Sequence, residues 1–165
     1  NRFLSYEYYN QALDYKKTGN RDLEHKALLM AEKSFERDNS NKSTYIGIHS
    51  RLIEYYCEQN QIIEAKKHLD QLEALDFDLS GNPPAELNFL GGKAKYLQTI
   101  GNYEVALALA KKKLEIAKSL GMEDEIMGTY SFLSEIYYDM GEYKKSIENN
   151  QASAAIKLKK KKKNW

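Results

Sequence analysis

Three histidines and one cysteine are the side chains of this 165-residue chain best suited to hold a metal or act as a nucleophile. His25, His49 and His68 fall on different expected helices, with no pair at ligand spacing and no Cys beside them. That arrangement predicts no metal site, and no cofactor is expected. Cys57 lies mid-helix with no histidine near it in sequence, the setting of a small buried side chain. Gly91-Gly92 lacks the preceding strand and the Gly-Lys-Ser/Thr or GxGxxG pattern of a phosphate loop, so close helix packing is its expected role. Acidic residues are abundant, as on any solvated helical face, and no pair is poised for acid and base work. With no catalytic constellation, the chain is expected not to be an enzyme.

The elements that carry these residues follow from an internal repeat. The turns Thr18-Gly19-Asn20, Gln59-Asn60-Gln61, Ile100-Gly101-Asn102 and Met140-Gly141-Glu142 recur at spacings of 41, 41 and 40 residues. Each sits between two amphipathic segments. Before Gly141, the residues Ile126, Tyr130, Leu133, Tyr137 and Met140 form one apolar stripe; after Gly101, Ala106, Leu107, Ala110, Leu114 and Ala117 form another whose small members let a helix approach closely. The pattern predicts eight helices, at about 3–18, 21–37, 43–58, 61–75, 84–99, 102–119, 123–139 and 142–158, and no strand. Asp38-Asn39-Ser40-Asn41 and Ser80-Gly81-Asn82-Pro83-Pro84 supply caps and breaks between hairpins.

Composition narrows the partners. Six lysines (Lys157 and Lys159 to Lys163) crowd the last nine residues; without them nineteen basic residues face twenty-four acidic ones, so the body is acidic and a poor fit to nucleic acid. The run itself allows three readings: a disordered, solvated tail at 159–165, a juxtamembrane cluster before a transmembrane helix beyond Trp165, or an attachment point for nucleic acid. The lone Cys57 cannot form an internal disulfide, which leaves cytosol and periplasm open, the cytosol favoured. The start at Asn1 suggests an excised piece, with any targeting or membrane segment outside it.

Small residues before each turn, a Gly-containing turn and small residues after it are the marks through which the chain resembles the tetratricopeptide repeat family. Ala94, Gly101-Asn102-Tyr103 and Ala106 carry the resemblance in the third unit; Ser134, Tyr137, Gly141-Glu142-Tyr143 and Ser146 carry it in the fourth. Ala12, Tyr15 and Gly19, then Tyr56, Asn60, Ile62 and Ala65, extend it to the first two units; Ile53, Leu97, Arg21 and Glu24 depart from it. The first unit's second helix has its own stripe of Leu23, Ala27, Met30, Ala31 and Phe35. The tyrosine after each turn is expected to wedge between the helices of its hairpin. The period exceeds the roughly 34 residues usual for the family and looks similar to the extended repeats of bacterial peptide-sensing regulators and sensors.

The resemblance implies an all-α, right-handed superhelical solenoid of four antiparallel hairpins over residues 1–158, in units of about 3–40, 41–80, 81–121 and 122–158. It implies a non-catalytic scaffold whose concave face binds a protein or peptide. The family's inward positions map to Tyr9, Lys16, Glu54, Glu58, Lys95, Gln98, Glu135, Tyr138 and Asp139. They suggest a groove acidic at its second and fourth units, suited to a basic segment with apolar or aromatic anchors. The Lys and Asn set with which some members grip a terminal carboxylate is lacking. Two other uses stay open: the input domain of a larger bacterial sensor or regulator, and an assembly scaffold that associates with itself.

Overall fold

The computed structural model describes residues 3–35 and 41–164, which form eight α-helices, one short 3₁₀ turn and no strand. The helices are α1 (Leu4–Lys17), α2 (Arg21–Ser34), α3 (Lys42–Glu58), α4 (Ile62–Glu73), α5 (Pro83–Thr99), α6 (Tyr103–Ser119), α7 (Glu123–Asp139) and α8 (Tyr143–Lys163). Seven agree with the sequence to within about three residues. The eighth does not stop at 158: α8 runs on through the lysines to Lys163, where Lys160 pairs with Asp124 and Lys163 with Glu123 on the first turn of α7. Cations in the last turn of a helix also meet its negative dipole end, which offsets part of their mutual repulsion.

The recurrent turns close in one geometry. Asn60 (φ 58°) and Gly141 (φ 79°) both lie in the left-handed region, as do Gly19 and Gly101 at the equivalent positions. Around each, two backbone bonds cap the preceding helix: Asn60 N–H donates to the Cys57 carbonyl at 3.0 Å and Gln61 N–H to the Tyr56 carbonyl at 2.8 Å. Gly141 and Glu142 repeat the pair on Tyr138 (2.9 Å) and Tyr137 (2.8 Å). This double bond pattern satisfies the orphan carbonyls of a helix end and requires a residue that tolerates positive φ. Asn20 and Asn41 then cap α2 and α3, accepting from Leu23 N–H (3.4 Å) and Thr44 N–H (3.2 Å). Before α5, Leu79–Gly81 forms the 3₁₀ turn and Asn82 accepts from Ala85 N–H at 3.3 Å, with Pro83 in the first helical position. Residues 38–40, also read as caps, lie outside the described residues.

The chain divides into two compact units between Tyr96 and Leu97, within α5. In the first unit, α1 packs on α2, α3 on α4, and α3 also meets α1 and α2. Its core is built from Leu28, Ile46, Ile48, Leu52 and Ile53, all fully buried, with Tyr9, Tyr55 and Tyr56 at its margin. Each such aliphatic side chain contributes about 1.5–3 kcal/mol of burial free energy. A Cβ added at Gly92 of α5 would stand 3.2 Å from the Ser50 backbone, so the glycine permits close approach to α3. In the second unit α7 packs on α6 and α8, around Ala106, Ala110, Leu133, Ile136 and Tyr137. Ser134 and Ser146 bond reciprocally there: each hydroxyl donates to the other's carbonyl, at 2.8 and 2.9 Å. Only small side chains allow two helices to come that close.

The repeat period is also a burial period. Ala12, Ile53, Ala94 and Ser134, one per hairpin before the turn, are all buried, as are Glu24, Ala65, Ala106 and Ser146 after it. Two local expectations change. On α2 the buried face is Glu24, Ala27, Leu28 and Ala31, whereas Leu23 and Met30 are exposed; the stripe is turned by about one residue because the repeat register, and not hydrophobicity alone, sets which side of α2 meets α1. Tyr143 does not wedge between α7 and α8 but lies exposed with its ring edge-on to Tyr138, centroids 5.3 Å apart. The α7·α8 seam is instead closed by the Ser134 and Ser146 bonds. Tyr103, by contrast, is partly buried against the second core.

Candidate functional site

The residues mapped to a binding face fall into two settings. In the first unit they are enclosed by one another. Tyr9 is buried with its hydroxyl against Gly47, where an added Cβ would sit only 2.5 Å from the oxygen. Lys16 of α1 donates to Glu54 of α3 at 3.1 Å, and Arg51 reaches the same carboxylate at 3.3 Å. Arg21 of α2 bridges Glu24 and Glu58 and lies over the Tyr55 ring, 5.8 Å from its centroid. Three cations thus face three carboxylates across α1, α2 and α3. Glu24 is 2 % exposed, and burial raises its pKa although Arg21 and Lys16 pull it down; desolvation outweighs the attraction. Lys95 is half-buried on α5.

In the second unit four mapped residues come together. Gln98 on the last turn of α5 and Glu135, Tyr138 and Asp139 on α7 line an open groove of about 510 Å³ with Ser131, Ser134, Ser146 and Asn150. Gln98 is 8 % exposed; its Nε2 donates to Asp139 Oδ2 at 3.1 Å, while its Oε1 is buried with no partner among the described residues. A buried amide oxygen left so costs about 1–3 kcal/mol. Tyr138 stands 63 % exposed, and Glu135 and Asp139 are exposed beside it. A helical face read i, i+3, i+4 brings Glu135, Tyr138 and Asp139 onto one side of α7.

A third cluster escaped the sequence. His49 of α3 and His68 of α4 approach until their Nδ1 atoms are 2.8 Å apart, and Glu32 Oε2 of α2 stands 3.7 Å from the first and 3.6 Å from the second. Both rings are clamped: Tyr45 packs on His49 with centroids 4.2 Å apart, and Tyr56 stacks on His68 at 5.6 Å. Tyr56 bonds in turn to His25 Nε2 at 3.0 Å, so all three histidines join one aromatic layer. Burial lowers the pKa of His68 and of His25, keeping those two imidazoles neutral near pH 7. The three ligand-type residues sit on three helices with no local motif. The available signal was tertiary: His49 and His68 lie on either side of the Asn60 turn, within one helical turn of equal distance from it, the condition for meeting across a hairpin.

No protein-family model matches the chain, and no curated protein matches it. What the residues define by themselves is an all-helical protein whose eight helices, among the described residues, pack in sequence as hairpins such as α1·α2, α3·α4 and α7·α8. None of its described helices is long and apolar enough to cross a membrane.

Proposed function

We propose that the chain is a non-catalytic binding module of tetratricopeptide type, its hairpins stacked as a right-handed solenoid, and that it takes an extended protein or peptide segment. The recurrence of one left-handed turn residue and of two buried positions at spacings of 41, 41 and 40 residues supports the repeat reading. The observation that carries the function is the buried, unpartnered Oε1 of Gln98 in the groove of the second unit. It is enclosed while Nε2 holds Asp139, and once the amide turns outward it accepts from a peptide N–H. Asp139 and Glu135 select a cationic side chain nearby, and the exposed Tyr138 ring takes an aromatic or aliphatic anchor. The binding residues of this reading are Gln98, Glu135, Tyr138 and Asp139.

The test uses a panel of defined fluorescent peptides that vary Lys or Arg and aromatic content, titrated by anisotropy into the wild type, Asp139→Lys and Gln98→Leu. Peptides with a basic residue and an aromatic anchor are expected to bind best. Asp139→Lys should weaken them at least tenfold, and Gln98→Leu by about tenfold, since a hydrogen bond to a buried acceptor is worth about 1–1.5 kcal/mol. Affinities that ignore peptide charge, or that both variants leave unchanged, would remove the groove from consideration.

A further inference from the structure

Beyond peptide binding, we propose that Glu32, His49 and His68 form a site for a divalent transition metal of the zinc class. The argument is geometric. The Nδ1 atoms of His49 and His68 and Oε2 of Glu32 make a triangle with edges of 2.8, 3.6 and 3.7 Å. A point equidistant from all three corners lies about 2.0 Å from each, the length of a Zn–N or Zn–O bond. The two long edges exceed hydrogen-bond range, so the carboxylate is held near the imidazoles without bonding to them. They are close to the ~3.3 Å edge of a tetrahedron built on such bonds. Only the nitrogens need part, by about 0.5 Å, to reach it.

The donor set decides the ion. Two imidazole nitrogens and one carboxylate oxygen suit zinc and its first-row neighbours and do not suit calcium or magnesium, which take oxygen ligands. Three protein ligands leave a fourth position for water. The ligands lie within 4.8 Å of one another on three separate helices, α2, α3 and α4, so an ion would tie the α3·α4 hairpin to its neighbour.

The surroundings meet two further requirements. Ligand rings must be held in place, and Tyr56 does so by stacking on His68 while Tyr45 packs at a tilt on His49. A ligating imidazole is also steadied by a polar neighbour, and Gln71 hydrogen-bonds the His68 side chain. The way in is through Glu32, whose side chain is 34 % exposed while those of His49 and His68 are 3 % and 10 % exposed. A carboxylate at the mouth and nitrogens at the base would capture a hydrated cation and then replace its water.

The experiment is a titration of the tag-free full chain with Co(II), read by the visible d–d bands of the ion, followed by displacement with Zn(II). One equivalent is expected to bind with the intense absorption of four-coordinate cobalt, and Zn(II) should abolish it and raise Tm by several degrees. Glu32→Gln, at a half-exposed position that keeps the side-chain shape, should weaken binding at least tenfold and remove the Tm response; His68→Gln should do the same, and His25→Gln, which changes the one histidine outside the triangle, should bind as the wild type does. Absence of a cobalt spectrum at a hundred micromolar metal overturns the site. So does a spectrum that Glu32→Gln leaves unchanged, which would put the ion elsewhere on the chain. The groove of the second unit plays no part, so peptide binding failing or succeeding does not bear on the result.

Discussion

The two units apply one hairpin plan to opposite ends. Between α1 and α4 the seams are filled: Ile53 stands where Ala94 and Ser134 stand later, Glu24 where Ala106 and Ser146 stand, and the spaces left over hold imidazole and phenol rings. Charges on that side are consumed in the lattice of Lys16, Arg21, Arg51, Glu24, Glu54 and Glu58. Between α7 and α8 the seam is closed by two serines, and the polar groups of α7 beside it are turned into an open groove with an unmet acceptor. The same backbone period thus yields a filled, ring-lined interior in one region and an accessible surface in the other. Side-chain volume at one position in each of the first two hairpins, Glu24 in the first and Ile53 in the second, makes the difference.

The sharpest way to break this comparison is to exchange the volumes. Ile53→Ala gives the first unit the small residue of the third hairpin, and as a fully buried core position it should lose about 2–5 kcal/mol by chemical denaturation. A loss below about 1 kcal/mol would mean that the first unit can close its seam as the second does. Ser134→Leu is the reverse change: it forces a large side chain into the α7·α8 crossing and deletes the reciprocal bonds with Ser146, at a cost of about 1–3 kcal/mol and with the groove of Gln98 distorted. A variant of unchanged stability would show that the helices can part freely there.

Smaller effects sharpen the shared part of the plan. Gly141→Ala should cost about 1 kcal/mol, because φ near 79° crowds a Cβ against the backbone. Asn60→Gly, at the same place in its own hairpin, should be neutral or stabilising by a few tenths of a kcal/mol, and equal losses at both positions would separate the two turns. The smallest effect is electrostatic. Burial raises the pKa of Glu24 above its ordinary value of 4.5, so the folded chain holds this proton to higher pH than the unfolded one does. The resulting stability is complete below the unfolded pKa and is lost as pH rises through the folded pKa. Glu24→Gln should therefore compare better with the wild type at pH 7 than at pH 4, and the opposite trend would show that Arg21 outweighs desolvation.

Periodicity alone marks the elements. Gly19, Asn60, Gly101 and Gly141 mark places where a helix must end in the left-handed region, a local requirement that needs no tertiary partner, and all four turns are there. Ala94, Ala106, Ser134 and Ser146 were legible as close-packing positions for a similar reason: small residues at a fixed period have few other uses. The buried side of α2 was less legible, since Leu23 and Met30 looked as apolar as Leu28 and only the neighbouring helices decided which would be covered. Of the mapped binding residues, the family resemblance nominated Glu135, Tyr138 and Asp139, and their helical spacing does put them on one face of α7; that Gln98 is buried beside them with one oxygen unmatched depended on the packing of the second unit.

The order of helix and turn, the period of the repeat and the acidity of the body were thus set by the chain itself, through propensities and spacings that act within a few residues. Tertiary structure decided which charges are matched and which groups converge. Arg21 meets Glu58, and Glu32 meets His49 and His68, across three helices; such meetings depend on the rotation of each helix about its axis, and a side chain's short-range electrostatics and coordination chemistry exist only once that rotation is fixed.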